Sequence, residues 1–356
     1  MDKLVITMSI LLMLLPLIKS EKALAPALYV FGDSLFDSGN NNMLPTLARA
    51  NFKPYGVNFA NGATGRFTNG RTLVDFIAEY IGLPYSPPYM SVQGLRNLVG
   101  LNYASSSCGI LPETGDYFGK CFHLEEQISL FQKRVESELP RHLLSSKEIV
   151  NYLSQSIYMM SIGSNDYIIN YFEPQIYESS KRFPPEAFAK LLIDNLSQQL
   201  QRLYKLGARK IVVFEIGPLG CIPSIIRKSA HIGLCVEQIN NITSLFNVQL
   251  SLMLNNIRSI LEGSDFILGH SFWISYDAII HPANYGLEDS SNPCCITWKN
   301  GTSGCIPYLS ACSNPSKRYF WDGYHVTEPI YKMIAEHCFN DSKVCMPKTI
   351  QELLEK

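Results

Sequence analysis

The sequence predicts an α/β fold in which helices cover both faces of a mainly parallel sheet. Short apolar runs typical of buried strands alternate along the chain with longer amphipathic stretches typical of helices. Apolar residues make up 46% of the 356 residues, which is enough to cover both faces of a buried sheet. Because strands and helices alternate, we expect helical crossovers between neighbouring parallel strands.

The strand candidates are short, apolar and bounded by turn residues; they cover residues 28–31, 157–162, 210–216 and 265–270. The helix candidates cover residues 72–81, 185–206, 235–261 and 328–338. In the first helix candidate, apolar side chains share one face and charged ones the other, as in an amphipathic surface helix. Three segments rich in Pro, Gly, Asn and Cys, residues 51–70, 84–97 and 284–316, are predicted as long loops, which carry the binding site in such folds.

The N-terminus has the pattern of a secretory signal. Lys3 precedes an apolar run of about 15 residues, and small residues follow at Ser20, Ala23 and Ala25. A signal anchor is the alternative, but the run is short for a membrane span. We therefore expect residues 1–25 to be a signal peptide, cleaved between about 20 and 25, and residues 26–356 to form one exported domain without an integral membrane segment.

The net charge and the cysteine content further narrow the class of protein. A net charge of −1 without a basic cluster argues against a nucleic-acid partner. Ten cysteines in an exported chain favour disulfides, and the spacing suggests local bridges Cys108–Cys121, Cys221–Cys235 and Cys338–Cys345. The pairing within a third group stays open: Cys294, Cys295, Cys305 and Cys312. A zinc site is the alternative, but no histidine lies beside these cysteines at ligand spacing, so we expect no metal.

Four Asn-x-Ser/Thr triplets are candidate N-glycosylation sites, and in an exported chain we expect several to be occupied. They begin at Asn195, Asn241, Asn300 and Asn340.

A serine follows the first predicted strand, in the run Gly32-Asp33-Ser34-Leu35. A side chain on such a turn lies at the carboxyl edge of the sheet, where open α/β folds bind ligands. Near the C-terminus, Asp322 and His325 stand three positions apart, a spacing that can set a carboxylate against one ring nitrogen and leave the other free. Ser, Asp and His in this order are the parts of a serine hydrolase. Asp33 and Asp37 are alternative carboxylates, although both are better placed to hold the turn.

Two further positions are candidates for stabilising a developing oxyanion. Asn165 follows the predicted strand 157–162 and has an uncharged side-chain donor; an Asx turn is the alternative. Gly109 ends a run of small residues whose backbone could approach a ligand closely. The serines at 105–107 are rival nucleophiles, but they lack the strand-then-turn setting of Ser34.

Five segments in this order resemble the plant GDSL esterase/lipase family, within the wider SGNH hydrolase group: Gly32–Leu35, Gly65–Arg71, Gly163–Asp166, Gly217–Cys221 and Asp322–Glu328. The resemblance implies a three-layer α/β/α fold with a flavodoxin-like sheet and an extracellular location in the apoplast or cell wall. It further implies Ser34 as nucleophile, His325 as base and Asp322 as the group that orients it. The implied oxyanion hole consists of Ser34 N–H, Gly109 N–H and the Asn165 side chain.

The sequence departs from the family pattern twice. Val326 stands where proline is common after the histidine, and residues 105–108 stand where Gly or Ala is more usual, which weakens the assignment of Gly109. The expected function is a secreted carboxylic-ester hydrolase that needs no cofactor, acts on a small-molecule or lipid ester and is a monomer. An acyltransferase that uses the same acyl-enzyme is one alternative. A non-catalytic binding or defence protein is another, which the retained set of catalytic residues disfavours.

Overall fold

The computed structural model describes residues 23–92 and 97–355. Most of the expected signal peptide, residues 1–22, therefore lies outside the described residues. The last residues of that segment pack on the domain: Leu24 N donates to Ile81 O at 2.9 Å, and Ala25 is buried. Among the helices of the described residues, none is long and apolar enough to cross a membrane.

The centre of the fold is a five-stranded sheet whose strands follow the chain order. The strands are β1 (Leu28–Gly32), β2 (Ile157–Ser161), β3 (Lys210–Phe214), β4 (Asp265–Gly269) and β5 (Cys345–Met346). The first four pair in parallel, which confirms the predicted strands and the mainly parallel sheet. The two-residue strand β5 pairs with β4 in the antiparallel direction and was not predicted.

A further extended segment, residues 99–103, runs along the free edge of β1. Leu28 N donates to Val99 O and Val30 N to Leu101 O, both at 3.0 Å, and Tyr103 N returns a bond to Val30 O at 2.7 Å. With this segment counted as the second strand, the order becomes that of a flavodoxin-like doubly wound sheet. The predicted loop 84–97 ends just before this edge segment.

Helices cover both faces of the sheet. They are α1 (Leu73–Tyr80), α2 (Leu124–Lys133), α3 (Ser146–Gln155), α4 (Ser179–Arg182), α5 (Pro185–Lys205), α6 (Pro223–Ile226), α7 (Glu237–Ile260), α8 (Ser271–Ile280), α9 (Glu328–Asn340) and α10 (Ile350–Leu354). The predicted helices correspond to α1, α5, α7 and α9. Alternate residues of β1 enter two separate apolar cores: Tyr29 and Phe31 pack with α2, α5 and α7, and Leu28 and Val30 pack with α1 and α9. The three-layer α/β/α arrangement is confirmed.

All ten cysteines pair in five disulfides. Three of these disulfides are the ones that the spacing predicted: Cys108–Cys121, Cys221–Cys235 and Cys338–Cys345. The open group resolves into Cys294–Cys312 and Cys295–Cys305. These last two bridges fold the loop 284–316 back on itself. The loop therefore has a fixed shape beside the end of the chain that carries Asp322 and His325.

The candidate glycosylation sites lie on helices and loops of the surface. Asn241, Asn300 and Asn340 are exposed. Asn195 is only partly exposed, and its side-chain amide donates to Leu191 O one turn earlier in α5.

Candidate active site

Ser34 lies on a tight turn at the carboxyl end of β1. The strand ends at Gly32, whose φ of +140° suits glycine, and a Cβ there would lie 2.1 Å from Ser161 O on β2. Behind it, Phe36 N and Asp37 N donate to Asp33 O at 3.2 and 3.0 Å and close the turn. Only glycine can therefore precede this turn, which leaves Ser34 at the carboxyl edge of the sheet.

Two buried carboxylates hold this turn. The Oδ1 atom of Asp33 accepts from Leu35 N at 3.0 Å, and Oδ1 of Asp37 accepts from Gly39 N at 2.7 Å. Burial raises the pKa of Asp33 to about 7 and the pKa of Asp37 to about 6. Both carboxylates bond backbone amides of their own turn, as the sequence suggested.

His325 connects Ser34 to Asp322. Its Nε2 lies 2.8 Å from Ser34 Oγ, and its Nδ1 lies 2.9 and 2.8 Å from the two carboxylate oxygens of Asp322. Asp322 is fully buried, and its Oδ1 also accepts from the backbone amides of Tyr324 and His325 at 2.8 Å. The carboxylate is thereby fixed, and the ring nitrogen that faces Ser34 is free of other partners within the described residues.

Tyr55 is a member of this site that the sequence analysis missed. Its hydroxyl donates to Asp322 Oδ2 at 2.7 Å and accepts from Cys305 N at 3.1 Å. Tyr55 is only 2% exposed, and Phe67 from the same loop packs on the His325 ring with centroids 5.1 Å apart. The loop 51–70 therefore supports both Asp322 and His325.

Asn165 lies beyond the end of β2 and lines the same cavity as Ser34 and His325. Its side-chain Nδ2 donates to Cys108 O at 2.9 Å. This bond uses one hydrogen of the amide and fixes its orientation, so the second hydrogen remains available. The Asx-turn alternative leaves this contact with residue 108 unexplained, since an Asx turn bonds the backbone of its own segment.

Gly109 has a different setting from the one expected. The described residues that line the cavity include Ser106 and Ser107 but not Gly109. A Cβ at Gly109 would lie 2.4 Å from Asp166 Oδ1, so glycine is needed here for close approach to that carboxylate. Asp166 in turn accepts from the amides of Ile110 and Leu111 at 2.8 and 3.0 Å.

The rival serines at 105–107 are placed differently from Ser34. Ser105 Oγ donates to Asn41 Oδ1 at 2.6 Å, and Ser106 N donates to the same oxygen at 3.1 Å. Ser107 has a φ of +68°, unusual for a residue with a side chain, and lies in the cavity wall. His325 bonds Ser34 and none of these three serines.

The cavity has a volume of about 490 Å³, within the range of small-molecule sites. Ser34, His325 and Asn165 all face it, and most of its remaining wall is aromatic or aliphatic. A serine with a neighbouring base and an uncharged amide donor, on an apolar cavity, can perform acyl transfer.

Comparison with known proteins gives one family. The model of the GDSL-like lipase/acylhydrolase family matches residues 28–338. A GDSL esterase/lipase from Arabidopsis thaliana, number 7 of that name, is 44% identical over 341 residues, which cover 94% of this chain and 93% of the relative. Another Arabidopsis GDSL esterase/lipase is 40% identical over 340 residues, covering 94% of this chain and 92% of its own length.

Proposed function

The chain belongs to the GDSL-like lipase/acylhydrolase family, a family of hydrolases that act on esters, and on that premise we propose that it is a secreted carboxylic-ester hydrolase with Ser34 as nucleophile. The observation that carries the proposal is the chain of contacts Ser34 Oγ to His325 Nε2 at 2.8 Å and His325 Nδ1 to Asp322 at 2.8 Å. A serine, a histidine and an aspartate that contact one another in this order activate the serine in hydrolases of unrelated folds.

In the proposed reaction, Ser34 Oγ attacks the ester carbonyl and its proton passes to His325 Nε2. Asp322 accepts a hydrogen bond from His325 Nδ1–H, which keeps Nε2 unprotonated before attack and stabilises the imidazolium afterwards. The imidazolium then protonates the leaving alcohol. Water then attacks the acyl-enzyme while His325 Nε2 takes its proton. The imidazolium returns that proton to Ser34 Oγ as the acid is released.

The negative charge that develops on the carbonyl oxygen needs donors that are already in place. The Ser34 amide and the free hydrogen of the Asn165 side chain are two of them in this proposal. The sequence suggested the Gly109 amide as the third. Because Ser107 lies in the cavity wall and Gly109 does not, we assign this donor to the amide of Ser107.

Secretion is part of the proposal. Five disulfides suit an oxidising compartment, and three of the candidate glycosylation sites are exposed. Both features agree with the signal pattern of residues 1–25.

The test is hydrolysis of a panel of carboxylic esters by the secreted, glycosylated protein, with Ser34→Ala as the blank. We expect acid release by the wild type and background rates in the variant. Equal turnover by both proteins, or turnover of no ester by the wild type, would refute the proposal. Addition of an alcohol or polyol acceptor separates hydrolase from acyltransferase, since a transferase forms a new ester in place of the free acid.

A further inference from the structure

The cavity of the candidate active site reaches the protein surface between two loops. Leu47 and Trp298 line the cavity, yet they are 84% and 58% exposed, so they stand at its mouth. Three more large apolar side chains are exposed on the loop that carries Trp298: Ile296, Tyr308 and Leu309. We call these five residues the rim. Their exposure beside one cavity is the arrangement expected of an interaction surface.

The backbone under the rim is held in place. Tyr308 N donates to Lys53 O at 2.7 Å and so joins the second rim loop to the first. Within the second loop, Ile306 N donates to Ile296 O at 2.8 Å, and the bridge Cys295–Cys305 closes the same turn. The exposed side chains therefore project from a braced framework.

The charges beside the rim are positive. Arg49, Lys53 and Lys299 are exposed on the two rim loops. Neither loop offers an acid to oppose them, because residues 38–74 and 290–321 contain no Asp or Glu. The cations come from distant parts of the chain, which is why the sequence shows no basic cluster. The fold brings them together at the mouth of the cavity and favours an anionic partner there.

A third loop beside the cavity has the opposite charge. It contributes Phe118 to the cavity wall and carries the exposed acids Glu113 and Asp116. Lys120 on this loop is paired with Glu126 at 2.6 Å. The unopposed positive charge is therefore confined to the rim loops, which fixes the side from which an anionic partner approaches.

Exposed apolar side chains next to cations fit one kind of partner. Leucine, isoleucine, tryptophan and tyrosine gain free energy when they enter the interface of a lipid bilayer, and lysine and arginine beside them are attracted to anionic headgroups. A soluble polyanion would use the cations alone. A second copy of this chain would bring like charges face to face, which opposes association.

We propose that the rim docks the protein on the surface of a bilayer that contains anionic phospholipids, a role that goes beyond the proposed ester hydrolysis. The mouth of the cavity then faces the lipid, so that an ester can pass from the bilayer into the cavity without crossing water. Docking itself needs no chemistry at Ser34.

The first test measures sedimentation of the protein with vesicles of phosphatidylcholine, with and without phosphatidylglycerol. The protein carries Ser34→Ala, so that no lipid is hydrolysed and the result does not depend on the proposed esterase. We expect binding to the mixed vesicles, weaker binding to pure phosphatidylcholine, and a loss of binding as the salt concentration rises. Equal binding to both kinds of vesicle, or binding to neither, would overturn the proposal.

Trp298 reports whether the rim enters the lipid. The chain has three tryptophans, of which Trp321 is buried and Trp273 is exposed. Trp273→Phe, added to Ser34→Ala, leaves Trp298 as the exposed tryptophan. We expect its emission to shift to shorter wavelength on the mixed vesicles and to be quenched by lipids brominated on their acyl chains. An unchanged spectrum in protein that sediments would show that another surface binds, and would overturn the proposal.

Matched substitutions separate the apolar rim from the rest of the surface. Leu47→Ser and Ile296→Ser should each weaken binding about tenfold, since each removes an aliphatic side chain that enters the lipid. Ile260→Ser is the control, because Ile260 is 63% exposed and Ile296 is 51% exposed. Ile260 ends α7, which leads to the amino end of β4, so it lies at the sheet edge opposite Ser34. We expect this control to bind normally.

The cations are tested in the same way. Lys53→Gln and Lys299→Gln should each weaken binding to the mixed vesicles about fivefold, the usual effect of one cation near an anionic membrane surface. Lys205→Gln is the control, because Lys205 is exposed at the end of α5, which leads to the amino end of β3. Thermal melting of every variant confirms that it is folded.

The alternatives give different results in these assays. Loss of binding in the lysine variants with normal binding in Leu47→Ser and Ile296→Ser would show a site for any polyanion. A dimer in light scattering that Leu47→Ser dissociates would show that the rim binds a second copy. Either result would overturn bilayer docking. In contrast, failure of the wild type to hydrolyse any ester would refute only the proposed function of Ser34.

Discussion

Tyr55→Phe removes one oxygen atom, the hydroxyl that bonds Asp322, from a residue with no hydrogen bond to Ser34. In the structure this hydroxyl donates to Asp322 Oδ2 at 2.7 Å and accepts from Cys305 N at 3.1 Å. Asp322 is fully buried, so it depends on protein donors to compensate for its lost hydration. The variant leaves His325 Nδ1 as the remaining donor to Oδ2 among the contacts described above.

The expected cost follows from the two bonds. A hydrogen bond to a charged group contributes about 1.5–3 kcal/mol, and a buried amide left without a partner costs about 1–3 kcal/mol. Together they predict a loss of about 2.5–6 kcal/mol in the free energy of unfolding. This loss lowers Tm by roughly 4–9 °C for a domain of this size. We also expect kcat to fall by about 10- to 100-fold, because a less firmly held Asp322 allows the His325 ring to move out of alignment with Ser34 Oγ.

The assay pairs ester turnover with thermal melting, and Tyr103→Phe is the matched control. Tyr103 is also buried, but its hydroxyl has no hydrogen-bond partner within the described residues. We expect the control to keep kcat and to melt near the wild type. If Tyr55→Phe behaves like Tyr103→Phe in both measurements, the hydroxyl does not support Asp322 and the reasoning is wrong.

Other predictions concern the oxyanion, the buried turn and the bridges. Asn165→Ala should lower kcat by about 10²–10³-fold with a smaller change in KM, because the variant loses one oxyanion donor. The neighbouring change Ser164→Ala is the control. In steady-state kinetics, changes of equal size in kcat and KM for Asn165→Ala would count against its role as an oxyanion donor. Burial raises the pKa of Asp33 to about 7 from its usual 3.8, so its contribution to stability is full below about pH 4 and is lost as the pH rises through 7. Thermal melts should therefore show wild type losing stability relative to Asp33→Asn between those limits, and a constant difference would contradict the burial argument. Peptide mapping without reduction should find Cys294 joined to Cys312 and Cys295 to Cys305, and the opposite pairing would invalidate the loop that holds Tyr55.

The part of the fold that the sequence predicts correctly is the part with a long or strongly patterned signal. The strands β1 to β4 are buried on both faces, apart from Asp265 at the start of β4, and most of their residues are apolar. The segment 99–103 and the strand β5 are short, and they extend because a neighbouring edge accepts their hydrogen bonds. Such segments take their conformation from tertiary context, so a single sequence gives little indication of them.

The same distinction applies to the candidate site. Ser34 follows a strand, and Asp322 and His325 are near each other in the chain, so local patterns were enough to single them out. Tyr55 lies 267 positions from Asp322, and its contact depends on how the bridge Cys295–Cys305 folds a distant loop. For the run of small residues at 105–109, the sequence indicated a close backbone approach and suggested the amide of Gly109, whereas Ser106 and Ser107 line the cavity and Gly109 does not.

Covalent labelling with a fluorophosphonate, followed by mass spectrometry of the digested protein, tests whether His325 activates Ser34. A serine with a neighbouring base attacks such a reagent, and an ordinary serine does not. We expect one adduct, on Ser34, in the wild type and a loss of nearly all labelling in His325→Ala. An adduct on a serine at 105–107, or undiminished labelling of Ser34 in His325→Ala, would contradict this expectation.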